Sequence, residues 1–277
     1  MNTLYRMYCP VTATPFLCDE TYTELPPCDA LKPYIRCFWG SAYPLRAVGH
    51  GGTGLVIPDT CMDLIFDINY TKNICTGSFC AIDEHSYRSQ SEGSSDLAAT
   101  FAIRFYAWTA VLFSDRAFDG SKNQSFAAEE FFERFTRELT PRLIDAKTLS
   151  EKVGITQALL LRRLRTDRES TDLLNAVYEM VRTCGRAKIS DVCHYAVISP
   201  KQLERLFSHH IGIAPKSFSS LVRYQLLWQD IALSGHFDVQ DAVEKFGYFD
   251  QAHLLNDFRR RHLVGIREAA EFAAKSR

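Results

Sequence analysis

Side chains that can bind a nucleic acid are spaced along one short segment, 247–262, whose sequence is GYFDQAHLLNDFRRRH. Gln251, His253 and Asn256 lie along a predicted helix in this segment, and four basic residues follow at 259–262. An asparagine side chain can pair with an adenine edge, and arginines can contact phosphate oxygens. A helix needs neither group in order to fold, so the segment is a candidate binding surface.

The same pattern occurs fifty-one residues earlier, where SPKQLERLF at 199–207 aligns with DQAHLLNDF at 250–258. Ser199 and Asp250 are favoured N-caps, because their side-chain oxygens can accept an unpaired backbone N–H of the first helical turn. Leucine and phenylalanine recur four residues apart in both copies and predict the buried anchors of each helix. These anchors are Leu203 and Phe207 in the first copy and Leu254 and Phe258 in the second.

A short helical segment and a tight connection precede each copy, with Gly247 in the second connection. This order predicts two helix-turn-helix units, in which the second helix can enter a major groove with its N-terminal residues at the base edges. The segment between the copies predicts one long helix that begins at Pro215 and ends at Gly235. Such a helix is a rigid spacer, and two helices in successive major grooves should lie roughly 34 Å apart.

The N-terminal half has a different texture, with short apolar runs separated by Gly, Pro, Asn and Asp. The runs at 34–43, 52–59, 61–70, 71–79 and 97–106 predict strands of an antiparallel sandwich or barrel. From Ser125 onward the apolar spacing becomes helical, with Ser125 as a candidate cap and Pro141 as the expected end of the first helix. The order of elements therefore predicts an α+β protein.

Composition excludes several other classes of protein. The formal net charge of −1 gives no global sign of binding to nucleic acid or membrane, so any basic surface must be local. No signal peptide and no run of about 18 apolar residues is found, which favours a cytoplasmic protein with no membrane partner. The nine cysteines form no CxxC pair, so neither a zinc site nor a disulfide framework is indicated.

The region from about 177 to 267 resembles the DNA-binding domain of the AraC/XylS family of bacterial transcription regulators. The resemblance rests on SPKQLERLFSHHIGIAPKSF, RYQLLWQDIAL and FGYFDQAHLLNDFRR, of which the last is the most recognisable. It implies base-facing roles in the first unit for Lys201, Glu204 and Arg205, with Gln202 nearer the phosphates. In the second unit it implies base-facing roles for Gln251, Ala252, Leu255 and Asn256, with His253 towards the backbone.

The chemistry of the first unit agrees with these roles, since Arg205 can donate two hydrogen bonds to guanine and Glu204 can accept one from cytosine. The second unit offers one apolar contact from Leu255 and one amide from Asn256, and Leu255 could instead belong to the core. A phosphate-binding role is predicted for the basic cluster of Arg259, Arg260 and Arg261.

Some positions depart from the family pattern. Val197 stands where a turn glycine is common, and Leu263 and Ile266 stand where a glycine and a proline usually follow the second unit. Leu255 and Asn256 stand where many relatives carry an arginine. Because of the departures at Asn256, Leu263 and Ile266, the alternative of an interaction protein that has lost specific DNA binding stays open. We expect the first unit to carry more of the specificity.

The segments ALKPYIRCFWGSAY, LVIPDTCMDLIFDIN and FAIRFYAWTAVLF resemble the cupin-like β-barrel sensor domain of some AraC-type regulators. The expected fold is thus an N-terminal β-barrel sensor domain at 1–120, a helical linker or dimerisation region at 121–178, and an all-α domain at 179–277 with two helix-turn-helix units. A small organic effector would need an aromatic lining with one charge. The candidate lining residues are Trp39, Phe66, Arg104, Tyr106 and Trp108.

An enzyme is the main alternative, because cupin-like barrels can hold a metal through His and carboxylate ligands. His50, Asp59, Cys61, Asp63 and His85 lie in this region, but their spacing does not match such a site, and the two aspartates are expected to point outward or be paired. A DNA-repair fusion with a cysteine methyl acceptor would need a four-cysteine zinc site, which the spacings do not offer.

The sequence therefore predicts a DNA-binding transcription regulator that is not an enzyme and needs no metal or cofactor. Its expected partners are double-stranded DNA, a small-molecule effector and a second copy of the chain, with RNA polymerase as a further candidate.

Overall fold

A computed structural model describes residues 3–46, 53–90, 94–234 and 237–275. The N-terminal half follows a short helix, α1 (Leu4–Met7), and is built of strands. The strands are β1 (Thr23–Leu25), β2 (Ile35–Gly40), β3 (Leu45–Arg46), β4 (Thr53–Val56), β5 (Cys61–Asn69), β6 (Ile74–Cys80), β7 (Tyr87–Gln90), β8 (Leu97–Tyr106) and β9 (Ser125–Ala127). Each of the five predicted strand runs overlaps one of these strands.

The strands form two antiparallel sheets. Seven strands make the larger sheet, in the order β1-β2-β8-β5-β6-β9 with β3 also paired to β8, and β4 and β7 make a separate two-stranded sheet. Within the described residues no pairing joins β9 back to β1, so the expected barrel is an open sheet here. Closure depends on pairing between strands far apart in sequence, which local patterns do not encode.

The two faces of the large sheet differ in chemistry. On one face, paired residues of β5 and β8 are apolar and fully buried, as at Leu64 opposite Ile103. On the other face Asp63 of β5 lies opposite Arg104 of β8. Side chains alternate between faces along a strand, so one central strand pair supplies both a core and a polar site.

After β9 the described residues form helices and the connections between them. The helices are α2 (Ala128–Asp145), α3 (Leu149–Arg163), α4 (Thr171–Arg182), α5 (Ile189–Ala196), α6 (Pro200–Ile211), α7 (Pro215–Leu233), α8 (Val239–Phe246), α9 (Gln251–His262) and α10 (Ile266–Ala274). None of the helices in the described ranges is both long and apolar enough to cross a membrane. The fold is therefore α+β, as predicted, with the sheets first and the helices after them.

Helix α2 differs from its prediction at both ends. Ser125 lies in β9, so it does not cap the helix, and Pro141 lies inside the helix, so it does not end it. The helix packs on β5 and β6, and Leu139 and Leu143 on either side of the proline are fully buried. Burial of these side chains outweighs the single backbone hydrogen bond that a proline removes.

Helix α7 belongs to both hydrophobic cores of the protein. Its N-terminal half, with Phe218 and Leu221, belongs to a core that is continuous with that of the large sheet. Its C-terminal half, with Leu227 and Trp228, belongs to a second core shared with α8, α9 and α10. Gly235, which was expected to end this helix, lies outside the described residues.

Both connections inside the helix-turn-helix units pass through left-handed backbone. Gly247 has φ of +66°, which glycine adopts without penalty, whereas Val197 has φ of +57° at the same place in the first unit. Leu263 likewise has φ of +63° after α9, where Gly212 with φ of +82° follows α6. The two departures from the family pattern therefore leave the turn geometry in place and add strain.

Val197→Gly is expected to raise the free energy of unfolding by about 0.5–1 kcal/mol, because a β-branched residue is disfavoured in left-handed backbone. The Val197 side chain is 87% exposed, so its removal loses almost no burial. Urea unfolding measures the change, with Val239→Gly at the first position of α8 as a matched control that should lose stability. A loss of stability in both variants would contradict the claim that the backbone at Val197 is strained.

Candidate nucleic-acid interface and ligand cavity

The first helix-turn-helix unit presents a polar face built from α6. The Ser199 hydroxyl accepts a hydrogen bond from the backbone N–H of Gln202 at 3.2 Å, which caps the helix as predicted. Leu203 and Phe207 are fully buried and anchor it. The side chains predicted to face bases, Lys201, Glu204 and Arg205, are all exposed.

Gln202 has a partner inside the protein. Its side-chain amide donates to Asp172 of α4 at 3.0 Å, and the residue is half-buried. This bond ties α6 to the helix before the unit. The phosphate contact predicted for Gln202 would require it to leave Asp172 or to use its remaining groups.

The second unit repeats this construction on α9. The Asp250 carboxylate accepts a hydrogen bond from the backbone N–H of His253 at 2.7 Å, and Leu254 and Phe258 are fully buried. Leu255 is 43% exposed and lies outside the core, which leaves it available for contact. The other side chains predicted to contact DNA are also exposed: Gln251, Ala252, His253 and Asn256.

The basic cluster at the end of α9 has two exposed arginines and one buried arginine. Arg259 and Arg260 are exposed, although Arg260 pairs with Asp257 at 2.7 Å. Arg261 is only 9% exposed and pairs with the same carboxylate at 3.4 Å, so the prediction that it contacts phosphate is wrong for this structure. Asp257 lies on the buried side of α9, which draws Arg261 inward.

Phe249 is an exposed apolar residue that sequence reasoning missed. It lies directly before the Asp250 cap and is 89% exposed. Its place beside the N-terminus of α9 adds an aromatic surface next to the polar face. Its neighbour Tyr248 is buried and donates a hydrogen bond to Asp257 at 3.0 Å, which fixes the turn.

A loop of the N-terminal half holds the C-terminal end of α6. The backbone N–H of Phe118 donates to the carbonyl of His209 at 3.0 Å, and the Ser208 hydroxyl donates to Asp119 at 2.6 Å. A Cβ on Gly212 would lie 2.5 Å from the hydroxyl oxygen of Ser121, so only glycine fits there. The first unit is thus fixed to the sheet half as well as to its own helices.

A cavity of ≈ 590 Å³ lies over the polar face of the large sheet. Arg104 and Asp63 lie on its wall beside Trp39, and Phe272 of α10 closes another side. The cavity therefore lies between the sheet half and α10, the helix that follows the second unit. Its volume suits a small organic molecule.

The polar groups of the cavity form one connected set. Arg104 donates to Asp59 and, at 3.3 Å, to Asp63, while the Trp39 indole N–H donates to Asp63 at 2.9 Å. Burial raises the pKa of the Asp63 carboxyl above its usual value, and Arg104 offsets only part of this effect. Both aspartates are thus paired with Arg104, which is one of the two alternatives that the sequence left open.

Only part of the predicted effector site lies together. Trp39 and Arg104 line the cavity, but Phe66, Tyr106 and Trp108 are not on its wall. Phe66 points to the opposite face of the sheet and stacks on Phe101 at 6.4 Å, and Tyr106 stacks on Trp108 at 4.9 Å. These three side chains belong to the core.

The candidate metal ligands are dispersed. Cys61 is buried, His85 is exposed, and Asp59 and Asp63 are engaged by Arg104. Among the described residues no group of three or more His, Cys, Asp or Glu side chains is placed to hold a metal ion. His50 lies outside the described residues.

Residues 23–127 match the model of a family described as a domain of unknown function, DUF6597. The match spans β1 to β9. No curated protein matches the chain.

Solved structures similar to this chain include a transcriptional regulator with an AraC-type DNA-binding domain from Chromobacterium violaceum. It is 22% identical over 38% of this chain and 93% of its own, with a TM-score of 0.35. ToxT from Vibrio cholerae O395 is 11% identical over 85% of this chain and 98% of its own, with a TM-score of 0.41. ToxT from Vibrio cholerae strain SCE256, with a bound unsaturated fatty acid, is 10% identical over 85% of this chain and 95% of its own, with a TM-score of 0.41.

Arg104→Leu is expected to lower the free energy of unfolding by about 3–5 kcal/mol, because two buried carboxylates lose their shared partner. Arg137→Leu is the matched control, since Arg137 forms an exposed ion pair with Glu133 at 2.6 Å and its loss should cost less than about 1 kcal/mol. Urea unfolding compares the two variants. Equal losses would show that the buried pair does not stabilise the sheet.

Proposed function

We propose that this chain is a sequence-specific DNA-binding transcription regulator of the AraC type, controlled by a small molecule in the cavity. The observation that carries the proposal is the pair of capped helices, α6 and α9, each held by a buried leucine and phenylalanine with polar side chains exposed beside them. A helix presented in this way can enter a major groove.

The first unit has the stronger base-recognition chemistry. Arg205 is exposed, so its guanidinium can pair with the O6 and N7 of a guanine. Lys201 precedes it by four residues, about one helical turn, and Glu204 precedes it directly. We propose that these three residues provide most of the sequence specificity.

The second unit has a weaker set of groups. Asn256 can pair with adenine, and Leu255 can contact a thymine methyl group. Gln251 donates to Gln240 of α8 at 2.8 Å, which holds its amide against the first turn of α8. We propose that α9 positions the DNA with Arg259 and Arg260 and adds a smaller part of the specificity.

The spacing of the two units follows from α7. Its nineteen residues make a helix of about 28 Å at 1.5 Å per residue. This length is comparable to the separation of roughly 34 Å between successive turns of a major groove. We propose that both helices bind one face of the same duplex.

The proposal for control rests on the position of the cavity. Phe272 and Lys275, at the end of the chain, share its wall with residues of the sheet half, and α10 packs on α7 and α9. A ligand that contacts both sides would bind one arrangement of the two halves better than another, and this difference is what an effector needs. The proposed division is a sensor at 1–120, a helical region at 121–178 that also dimerises, and the DNA-binding domain at 179–277, all acting in the cytoplasm.

Arg205→Ala is expected to weaken binding to a selected DNA site by about 1–3 kcal/mol and to relax the preference at one base pair, because a paired hydrogen bond to guanine is lost. Fluorescence anisotropy at fixed salt measures the affinity. Arg162→Ala is the matched control, since Arg162 is exposed on α3 and carries the same charge. Equal effects of both variants would mean that Arg205 contributes only charge, and unchanged binding by Arg205→Ala would refute its assignment.

A further inference from the structure

The cavity over the large sheet has an excess of negative charge in its interior. Asp59 and Asp63 share one guanidinium, that of Arg104, and all three side chains are largely buried. The other basic residue on the wall, Lys275, is exposed to solvent beyond the end of α10. Two carboxylates against one buried cation leave a formal charge of −1 where water screens it poorly.

The remaining titratable groups on the wall do not change this balance. Burial raises the pKa of the Cys80 thiol to about 11 and that of the Tyr87 hydroxyl to about 12. Burial also raises the pKa of Tyr22. All three groups are therefore neutral near pH 7, and the two aspartates and Arg104 set the charge of the interior.

Among the described residues, the interior of the cavity holds no buried cation that is free to pair with an anionic ligand. Both terminal nitrogens of the Arg104 guanidinium already donate to carboxylates, one to Asp59 and one to Asp63. A bound carboxylate would lie beside two like charges, which is destabilising. A ligand with a positive charge would instead restore neutrality beside Asp63.

Aromatic rings complete the chemistry of the wall. The rings of Tyr22 and Trp39 lie 5.5 Å apart, and Tyr87 lines the same cavity. The hydrogen bond from the Trp39 indole to Asp63 holds this ring next to the carboxylate. Aromatic faces together with a carboxylate are the surroundings that bind organic ammonium groups.

We propose that the cavity binds a small organic cation, an amine with an apolar or aromatic body, whose ammonium group lies beside Asp63 and whose body packs between Trp39, Ile65 and Phe272. This inference rests on the proposed function, since it names the chemical class of the effector.

The test uses the purified full-length chain and phenylalkylamines with one to four methylene groups, each compared with the alcohol and the carboxylate of matched length. Isothermal titration calorimetry near pH 7 measures the affinities. The best amine should bind roughly 10- to 100-fold more tightly than its alcohol, because a hydrogen bond to a charged group is stronger than one between neutral groups. The carboxylates should bind least.

Asp63→Asn should remove the preference for the amine over the alcohol while leaving the alcohol's affinity unchanged, since the amide keeps the shape and can still accept from Trp39. Asp67→Asn is the matched control, because Asp67 lies on the same strand four residues away, is exposed, and is not on the cavity wall. It should keep the full preference.

Tighter binding of the carboxylates, an equal affinity of amine and alcohol, or no binding in any series would overturn the inference. A preference unchanged in Asp63→Asn would do so as well. Binding to a selected DNA site, measured in parallel, separates this result from the proposed function. If the chain binds the amine but no specific DNA sequence, the cavity assignment stands and the proposed regulator function is wrong. If the chain binds specific DNA but prefers the carboxylates, the regulator function stands and the cavity assignment is wrong.

Discussion

The burial of α7 is the constraint on which the rest of the structure depends. Phe218 and Leu221 pack with the first helix-turn-helix unit, and Trp228 packs with the second. The same helix is hydrogen-bonded to the N-terminal half, because the fully buried amide of Gln225 donates to the carbonyl of Pro58 at 2.9 Å and accepts from the N–H of Val11 at 3.0 Å. Any movement between the halves must break or replace these buried bonds, each of which is costly to leave unmade.

This constraint explains where control of the proposed DNA-binding surface can act. The first unit is held by the sheet half through Asp119 and Phe118, whereas the second unit packs on α10, whose residue Phe272 lines the cavity. Because α7 belongs to both cores, a ligand that changes the packing of α10 acts on the helix that also positions α6. The ion pairs of Arg104 keep the sheet side of the cavity fixed while α10 provides the other wall.

The parts of the fold that could be predicted from the sequence are those set by local chemistry. The caps at Ser199 and Asp250 and their buried leucines and phenylalanines follow from the preferences of one helical turn, and the structure confirms them. The apolar runs of the N-terminal half also predicted strands at the right places. Local patterns did not predict three other features: the open edges of the large sheet, the proline inside α2 and the burial of Arg261. The sheet edges depend on pairing between residues distant in sequence. The other two depend on which side of a helix is covered by the rest of the protein.

The ligand site was predicted only in part for a related reason. Alternation along β8 puts Phe101 and Phe105 on the face opposite Arg104, which the sequence already indicates. Which residues of β5 share the face of Arg104 depends on the register, and the register pairs Asp63, not Phe66, with it. The presence of Phe272 on the cavity wall could not be predicted from the sequence, because the position of α10 beside the sheet half is a tertiary contact.

Selection of bound duplexes from random DNA is the measurement that tests the central claim most directly. If α6 and α9 read successive major grooves from the two ends of α7, the purified chain should enrich a two-part motif whose parts lie about 10 base pairs apart. The part contacted by α6 should be the more sharply defined of the two. Enrichment of no motif by a folded chain at moderate salt would contradict the account.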